Sequence, residues 1–154
     1  MLQHYDIEVI YSMNESSLKK IYKLKSEESR GEHKFKPRNA DWMLIEDCIS
    51  LLRNDCNLHF SSRILQEAFS LSKHDVISEF DRDSLLNYHK MSYLEFLEFL
   101  SRFAELYFEG SEMEELELHQ KLEFLLDEIL PVVGAKRVKQ TTVIEEFSES
   151  DDDY

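Results

Sequence analysis

Residues 90–100, Lys-Met-Ser-Tyr-Leu-Glu-Phe-Leu-Glu-Phe-Leu, decide how the rest of this chain is arranged. The first part of the stretch, Met91-Ser92-Tyr93, predicts a short strand. An apolar helix is predicted to follow over about residues 94–108, because apolar side chains recur there at helical spacing. Gly110 is the expected end of that helix. The face that the helix should bury consists of Phe96, Phe99, Leu100, Phe103, Ala104 and Tyr107.

The remainder of the chain also favours helices. Only three Gly and two Pro occur in 154 residues, and this scarcity disfavours many-stranded sheets. Residues 1–13 are compatible with either a strand or an extended arm. We therefore expect an all-α fold of about six helices with two minute strands. Five other helices are predicted. The first begins at a capping box, Ser12–Glu15, and ends at about Lys25, and the second runs from Asn39 or Asp41 to about Arg53. The remaining three run from Ser61 or Ser62 to about Leu71, from Asp75 to about Ser84, and from Ser111 to Pro131.

Three regions are expected along the chain. Residues 1–39 should form an N-terminal arm, a capped helix and a basic loop, residues 40–131 a helical domain, and residues 132–154 a C-terminal extension with an acidic tail. The predicted core consists of Trp42, Ile45, Ile49, Leu52, Phe60, Phe69, Phe80, Phe96, Leu100, Phe103, Leu122 and Leu125.

The formal net charge of −14 is unevenly distributed. A phosphate backbone attracts basic surfaces, so nucleic-acid binding is not expected. Residues 19–38 nevertheless carry eight Lys or Arg against three Glu, whereas residues 145–154 carry six carboxylates and no basic residue. The basic segment is expected either to contact acidic partners, such as the acidic tails of tubulin or an anionic membrane surface, or only to keep the loop soluble. Its candidate contact residues are Lys19, Lys20, Lys23, Lys34, Lys36 and Arg38.

The two cysteines, Cys48 and Cys56, do not form a disulfide framework and are expected to behave as small hydrophobes. No apolar run approaches 18 residues, so no membrane span is predicted. The N-terminus lacks a basic segment followed by an apolar one, so no signal peptide is predicted. A reducing, intracellular compartment is therefore expected.

The acids near residues 79–95 raise the question of a metal site. Taking Glu95 as position 12 of a calcium loop places Met91 at position 8, and Leu86 and Tyr88 at positions 3 and 5, where carboxylates are needed. Glu95, Asp81 and Asp83 are therefore only weak candidate ligands, and a solvated acid in the first turn of a helix is the expected role of Glu95. We expect neither a bound metal nor a cofactor.

The same loop template also fits upstream, with Leu58 at position 8 and Ser62 at position 12. Leu58 and Met91 are 33 residues apart, and two tiny strands at residues 58–60 and 91–93 are predicted to pair.

Residues 40–108 resemble the EF-hand superfamily. More narrowly, three segments are similar to a degenerate EF-hand-like module of ciliary and flagellar axonemes in protists: Ala68-Phe69-Ser70-Leu71-Ser72-Lys73, Glu79-Phe80-Asp81, and residues 91–104. In that module a Trp-containing helix, here residues 41–45, precedes the first unit, and a Leu-rich helix, here residues 122–131, follows the second. The resemblance implies a degenerate EF-hand pair with extra terminal helices and flexible tails, placed in an axoneme in a structural role.

No motif for enzymatic chemistry is present, since the chain lacks GxSxG, P-loop, GxGxxG and HExxH patterns. We therefore expect a non-enzymatic structural or adaptor protein that binds protein partners in a large, microtubule-based ciliary assembly, with tubulin or axonemal proteins as partners. The alternative is a calcium sensor or light-chain-like module that binds a target helix. The C-terminal helix is expected to fill the apolar groove of the domain itself.

Overall fold

The computed structural model describes residues 2–28, 42–72 and 90–138. Within these ranges the protein is mostly helical and carries only two very short strands, so the predicted all-α class is confirmed. The elements are α1 (Leu2–Met13), α2 (Glu15–Glu28), β1 (Met43–Leu44), α3 (Ile45–Ile49), a π-helix (Ser50–Asp55), α4 (Ser62–Ser72), β2 (Lys90–Met91), α5 (Tyr93–Tyr107), α6 (Leu118–Ile129) and a 3-10 turn (Leu130–Val133). The helix predicted from Asp75 to Ser84, including Phe80, lies outside the described residues.

The N-terminal segment forms a helix, so the prediction of a strand or an extended arm was wrong. Ile7, Ile10 and Tyr11 lie three and four residues apart and pack against the core, which is the spacing of a helical face. Ser12 lies inside α1 rather than capping α2. The backbone hydrogen bonds almost continue from α1 to α2, because the Asn14 carbonyl accepts from the Leu18 N–H at 3.0 Å.

The two strands pair in an antiparallel ladder that places Met43 opposite Met91 and Leu44 opposite Lys90. The predicted pairing of residues 58–60 with the second strand was therefore wrong. Residues 57–60 are irregular because they end the π-helix: Asn57 adopts a left-handed φ of 56°, and the Leu58 N–H donates to the Leu52 carbonyl at 2.9 Å. Asn tolerates this conformation better than most residues.

Residues from the described parts of all three predicted regions pack into one core. Leu18 and Ile21 of α2 lie in the same buried cluster as the apolar face of α5 and the leucines of α6. Of the predicted core, Leu52, Phe69, Phe96, Leu100, Phe103, Leu122 and Leu125 are buried, whereas Trp42, Ile45, Ile49 and Phe60 are half-buried.

Helix α6 begins later than predicted. Residues 111–116 form turns, and the helix starts after Glu117, whose N–H donates to the Gln120 side chain at 3.1 Å. Its leucines nevertheless pack against the Phe-rich face of α5, as expected of a helix that fills the domain's own groove. After Ile129 the chain tightens into the 3-10 turn that contains Pro131, and Gly134 ends it with φ of +70°.

The segment after the 3-10 turn is tied back onto the helices. Arg137 donates to Glu123 at 2.5 Å and to Asp127 at 3.0 Å, both on α6. The Val138 N–H donates to the Asn14 side chain at 2.8 Å. This C-terminal segment therefore bridges α6 and the α1–α2 junction.

Candidate interaction surfaces

Helix α5 begins with a reciprocal cap that involves Glu95. The Glu95 carboxylate accepts the Ser92 N–H at 2.9 Å, and the Ser92 hydroxyl accepts the Glu95 N–H at 3.2 Å. The pattern is a capping box, in which each side chain satisfies a backbone donor that the helix itself leaves unpaired. Glu95 is only 8% exposed, so it is a buried cap rather than the solvated acid that the sequence predicted.

Helix α3 begins in a similar way, with a cap that was not predicted. The Asp47 carboxylate accepts the Leu44 N–H at 2.8 Å, and Asp47 is 2% exposed. Leu44 directly follows Met43 in the chain, just as Ser92 follows Met91, and Met43 and Met91 are the paired strand residues. The two strand–helix units thus repeat one arrangement. The signal was a carboxylate three residues after a helix start, but the helix was predicted to begin too early for it to be recognised.

The remaining metal candidates, Asp81 and Asp83, lie outside the described residues. In the part of the chain that the structure describes, no three His, Cys, Asp or Glu side chains are grouped so that they would hold a metal ion.

The exposed lysines of α2 form a basic face that we call the α2 lysine face, made of Lys19, Lys20 and Lys23. Lys19 pairs with Glu15 one turn earlier at 2.9 Å and lies 5.7 Å from the centre of the Tyr93 ring. The other predicted contact residues, Lys34, Lys36 and Arg38, lie outside the described residues.

Lys25, on the same helix, has a different role that the sequence did not reveal. Its ammonium group is buried and donates to Glu28 and Asp55 at 2.6 Å each, and to the Ser50 hydroxyl at 3.0 Å. Burial alone lowers the pKa of Lys25, but the hydrogen bonds to the two carboxylates outweigh it, so the pKa is raised. Lys25 therefore anchors the end of α2 to the π-helix.

A groove runs between α1 and α5 beside the start of α6, and we call it the α1–α5 groove. Its volume is about 510 Å³. Helix α1 contributes Ile7, Glu8 and Tyr11 to it, and α6 contributes Leu118. Its longest wall is a stripe along α5 made of Leu94, Leu97, Glu98, Ser101, Arg102 and Glu105. This stripe lies beside the Phe-rich face that α5 buries in the core.

The floor of the groove is closed by hydrogen bonds of Tyr11. Its hydroxyl lies 2.5 Å from both the Leu97 carbonyl and the Ser101 hydroxyl. Burial raises the pKa of Tyr11 well above its usual value, so the hydroxyl stays protonated at neutral pH. Helix α1, which carries Tyr11, therefore forms one wall of the groove.

Two other side chains show shifted acidities. Burial raises the pKa of the Cys56 thiol to about 11, and the neighbouring Asp55 carboxylate adds to the effect. Burial raises the pKa of Tyr93 to about 12. Since a thiolate rather than a thiol is the nucleophile, Cys56 is poorly suited to nucleophilic chemistry at neutral pH. Both cysteines are free thiols.

Comparisons of the chain with protein-family models, with curated proteins and with solved structures found no match. Among the described helices, none has the length and apolar character that crossing a membrane requires.

Proposed function

We propose that this chain is a non-enzymatic structural or adaptor protein, built on an ion-free, EF-hand-like pair of units, that docks in a larger assembly through protein contacts. One observation carries the proposal. In both units a buried strand methionine, Met43 or Met91, is followed four residues later by a buried acid, Asp47 or Glu95, that caps the next helix.

The count along the chain supports an EF-hand-like pair. With Met91 at loop position 8, Glu95 falls at position 12, where a calcium loop has its chelating acid. With Met43 at position 8 of the other unit, Asp47 falls at position 12. The two position-8 residues are paired across the short antiparallel ladder.

The use of both acids supports a scaffold without an ion. Each carboxylate accepts a backbone N–H at the start of its own helix. A calcium ion needs six to eight oxygen ligands, and the acids that would contribute are engaged in capping. The repeated units then serve to hold the helices together, and the function lies on the surfaces that the helices present.

The α2 lysine face is the surface proposed to meet an acidic partner, such as the acidic tails of tubulin. Lys20 and Lys23 are exposed and lie on the side of α2 opposite to its buried residues, Leu18 and Ile21. Placement in a microtubule-based ciliary assembly rests on the resemblance of residues 68–73 and 91–104 to the axonemal module. Affinity purification from ciliated cells tests that placement, and a lack of enrichment of axonemal proteins or tubulin would contradict it.

Co-sedimentation with stabilised microtubules tests the lysine face directly. The double variant Lys20→Glu/Lys23→Glu should bind less than the wild type. Lys19 is left unchanged because its contacts with Glu15 and Tyr93 help to hold α2. The matched control is Arg63→Glu/Lys136→Glu, which makes the same change in net charge at exposed positions on α4 and after the 3-10 turn. Equal loss of binding in both variants would refute a specific role for the lysine face.

A second candidate is a light-chain-like module that binds a target helix, as a calcium sensor or without calcium. The α1–α5 groove favours helix binding, because its α5 wall extends from Leu94 to Glu105 and both α1 and α5 contribute apolar side chains to its lining. Calorimetric titration with calcium separates the two forms of this candidate. Micromolar calcium binding would establish a sensor and contradict the ion-free scaffold.

A further inference from the structure

We propose that the α1–α5 groove binds an amphipathic helix from another protein, with an apolar stripe on one side and Lys or Arg residues flanking it. The inference deepens the second candidate function, the binding of a target helix, and rests on it. It adds the chemistry of the partner, which is distinct from the acidic partner proposed for the α2 lysine face.

The length and shape of the groove fit a helix. The α5 wall runs without interruption from Leu94 to Glu105 in steps of three and four residues, which is one stripe of a helix. At 1.5 Å per residue this wall is about 16 Å long, so it would contact about three turns of a bound helix. Because α1 forms the opposite wall, a bound helix would be held between two helices.

Several apolar side chains share the groove. Leu94 is 71% exposed, which makes it the most exposed of the large hydrophobic residues in the described part of the chain. Leu97, Ile7 and Leu118 are half-buried in the same groove. Single exposed leucines are common on protein surfaces, whereas apolar side chains that share a groove indicate a binding site.

The polar groups on the floor are already satisfied. The Tyr11 hydroxyl lies 2.5 Å from both the Leu97 carbonyl and the Ser101 hydroxyl. Ser101 also donates to the Leu97 carbonyl at 3.3 Å. The floor therefore does not require a polar ligand, and apolar side chains would provide the contacts there.

The charges along the rim favour a basic partner. Glu8, Glu98 and Glu105 line the groove together with one cation, Arg102. Arg102 pairs with Glu98 at 3.1 Å, and Glu105 lies 3.5 Å from the buried Lys121. The lining thus carries an excess of acid, and the net charge of −14 on the whole chain would attract a basic helix from a distance.

A designed peptide probe tests the proposal with the full chain. The probe is a fluorescein-labelled amphipathic peptide of four turns, with leucines on one stripe and lysines elsewhere, and its binding is measured by fluorescence anisotropy. We expect saturable binding by the wild type. Leu94→Asp should weaken it by at least about tenfold, because a leucine contact buried in the complex is lost.

The matched control is Leu71→Asp, which makes the same change at an exposed leucine on α4, where the side chain is 51% exposed. Both substitutions add one negative charge. If the basic peptide bound by charge alone, both variants would bind it as well as the wild type or more tightly. Weaker binding by Leu94→Asp alone would therefore establish an apolar contact in the groove. Both sites are exposed, so folding should be preserved, and circular dichroism checks this.

Three results would overturn the proposal. The first is that Leu94→Asp binds the probe as well as Leu71→Asp does. The second is equal binding of a scrambled peptide that has the same composition but no apolar stripe, which would indicate a site for flexible chains or small apolar ligands instead of a helix. The third is no saturable binding by the wild type. Microtubule co-sedimentation by the wild type in any of these cases would show that the adaptor proposal survives while the groove proposal fails.

Discussion

Replacing Lys25 with methionine tests how α2 is fixed to the rest of the fold. Methionine keeps a flexible apolar stem but removes the ammonium group that donates to Glu28, Asp55 and the Ser50 hydroxyl. The Lys25 side chain is 3% exposed, whereas Asp55 is 32% and Glu28 50% exposed. The two carboxylates can therefore regain water when the cation is lost.

The expected cost lies between two known limits. Breaking a fully buried ion pair costs about 3–5 kcal/mol because a buried charge is left without a partner, and exposed pairs contribute at most about 1 kcal/mol. Since only the cation of this network is fully buried, we expect Lys25→Met to lower the free energy of unfolding by about 2 kcal/mol. For a chain of this size that corresponds to a fall in Tm of about 4–8 °C.

Urea unfolding followed by circular dichroism measures the effect, and Lys23→Met is the control. Lys23 lies on the same helix but is exposed, so its replacement should change the free energy of unfolding by less than about 0.5 kcal/mol. A double-mutant cycle with Asp55→Asn should show a coupling energy of about 0.5–3 kcal/mol. If Lys25→Met costs no more than Lys23→Met, or the cycle shows no coupling, the anchor is not a determinant of stability.

The pH dependence follows from the raised pKa of Lys25. A group whose pKa is higher in the folded state stabilises the protein fully below its unfolded pKa, which is about 10.4 for lysine. The stabilisation is lost as the pH rises through the folded value. The difference between wild type and Lys25→Met should therefore be constant from about pH 7 to 9 and shrink above about pH 10.4.

Three further predictions concern caps, hydroxyls and thiols. Glu95→Ala should lower the free energy of unfolding by about 1 kcal/mol, as for other lost caps. Millimolar calcium should leave the free energy of unfolding of the wild type unchanged. A calcium-dependent rise in the Tm of the wild type would contradict a capping role for Glu95. Tyr22→Phe should cost about 1 kcal/mol, because the Tyr22 hydroxyl donates to the Met91 carbonyl at 2.6 Å. Tyr93→Phe should cost less or stabilise the protein, because the Tyr93 hydroxyl is buried and has no hydrogen-bond partner among the described residues; thermal unfolding compares the two. Cys56, with its thiol pKa of about 11, should react with iodoacetamide at pH 8 at least about tenfold more slowly than a free cysteine, and mass spectrometry of timed samples would expose a faster rate.

Helical periodicity accounts for what could be predicted from the sequence. The helix predicted over 94–108 corresponds to Tyr93–Tyr107, because fifteen residues with a strong apolar stripe give a clear signal. The N-terminal helix was missed because Ile7, Val9 and Tyr11 also alternate like a strand. In a segment of that length the apolar residues fit both the two-residue repeat of a strand and the 3.6-residue repeat of a helix, and packing against the core decides which forms.

The strand partner and the groove could not be predicted in the same way. A two-residue strand is too short to show a periodicity, so the pairing of Met43 with Met91 could not be predicted from the pattern of apolar side chains. The groove stripe on α5 mixes Leu94 and Leu97 with charged residues and resembles an ordinary solvent face in the sequence. Only the position of α1 next to it shows that these leucines share a surface with Ile7.

The caps at the two helix starts bear on how the two strand–helix units hold together without an ion. Ion binding and capping compete for the same carboxylates, since Asp47 and Glu95 each accept a backbone N–H at the start of a helix. If each cap contributes about 1 kcal/mol, recruiting one of these acids to an ion would weaken the binding of that ion by about fivefold. The caps satisfy backbone donors at the two helix starts without a metal ion. A chain that evolves in this direction keeps the paired scaffold and leaves its other helical faces, such as the α2 lysine face and the α1–α5 groove, open to selection for partners.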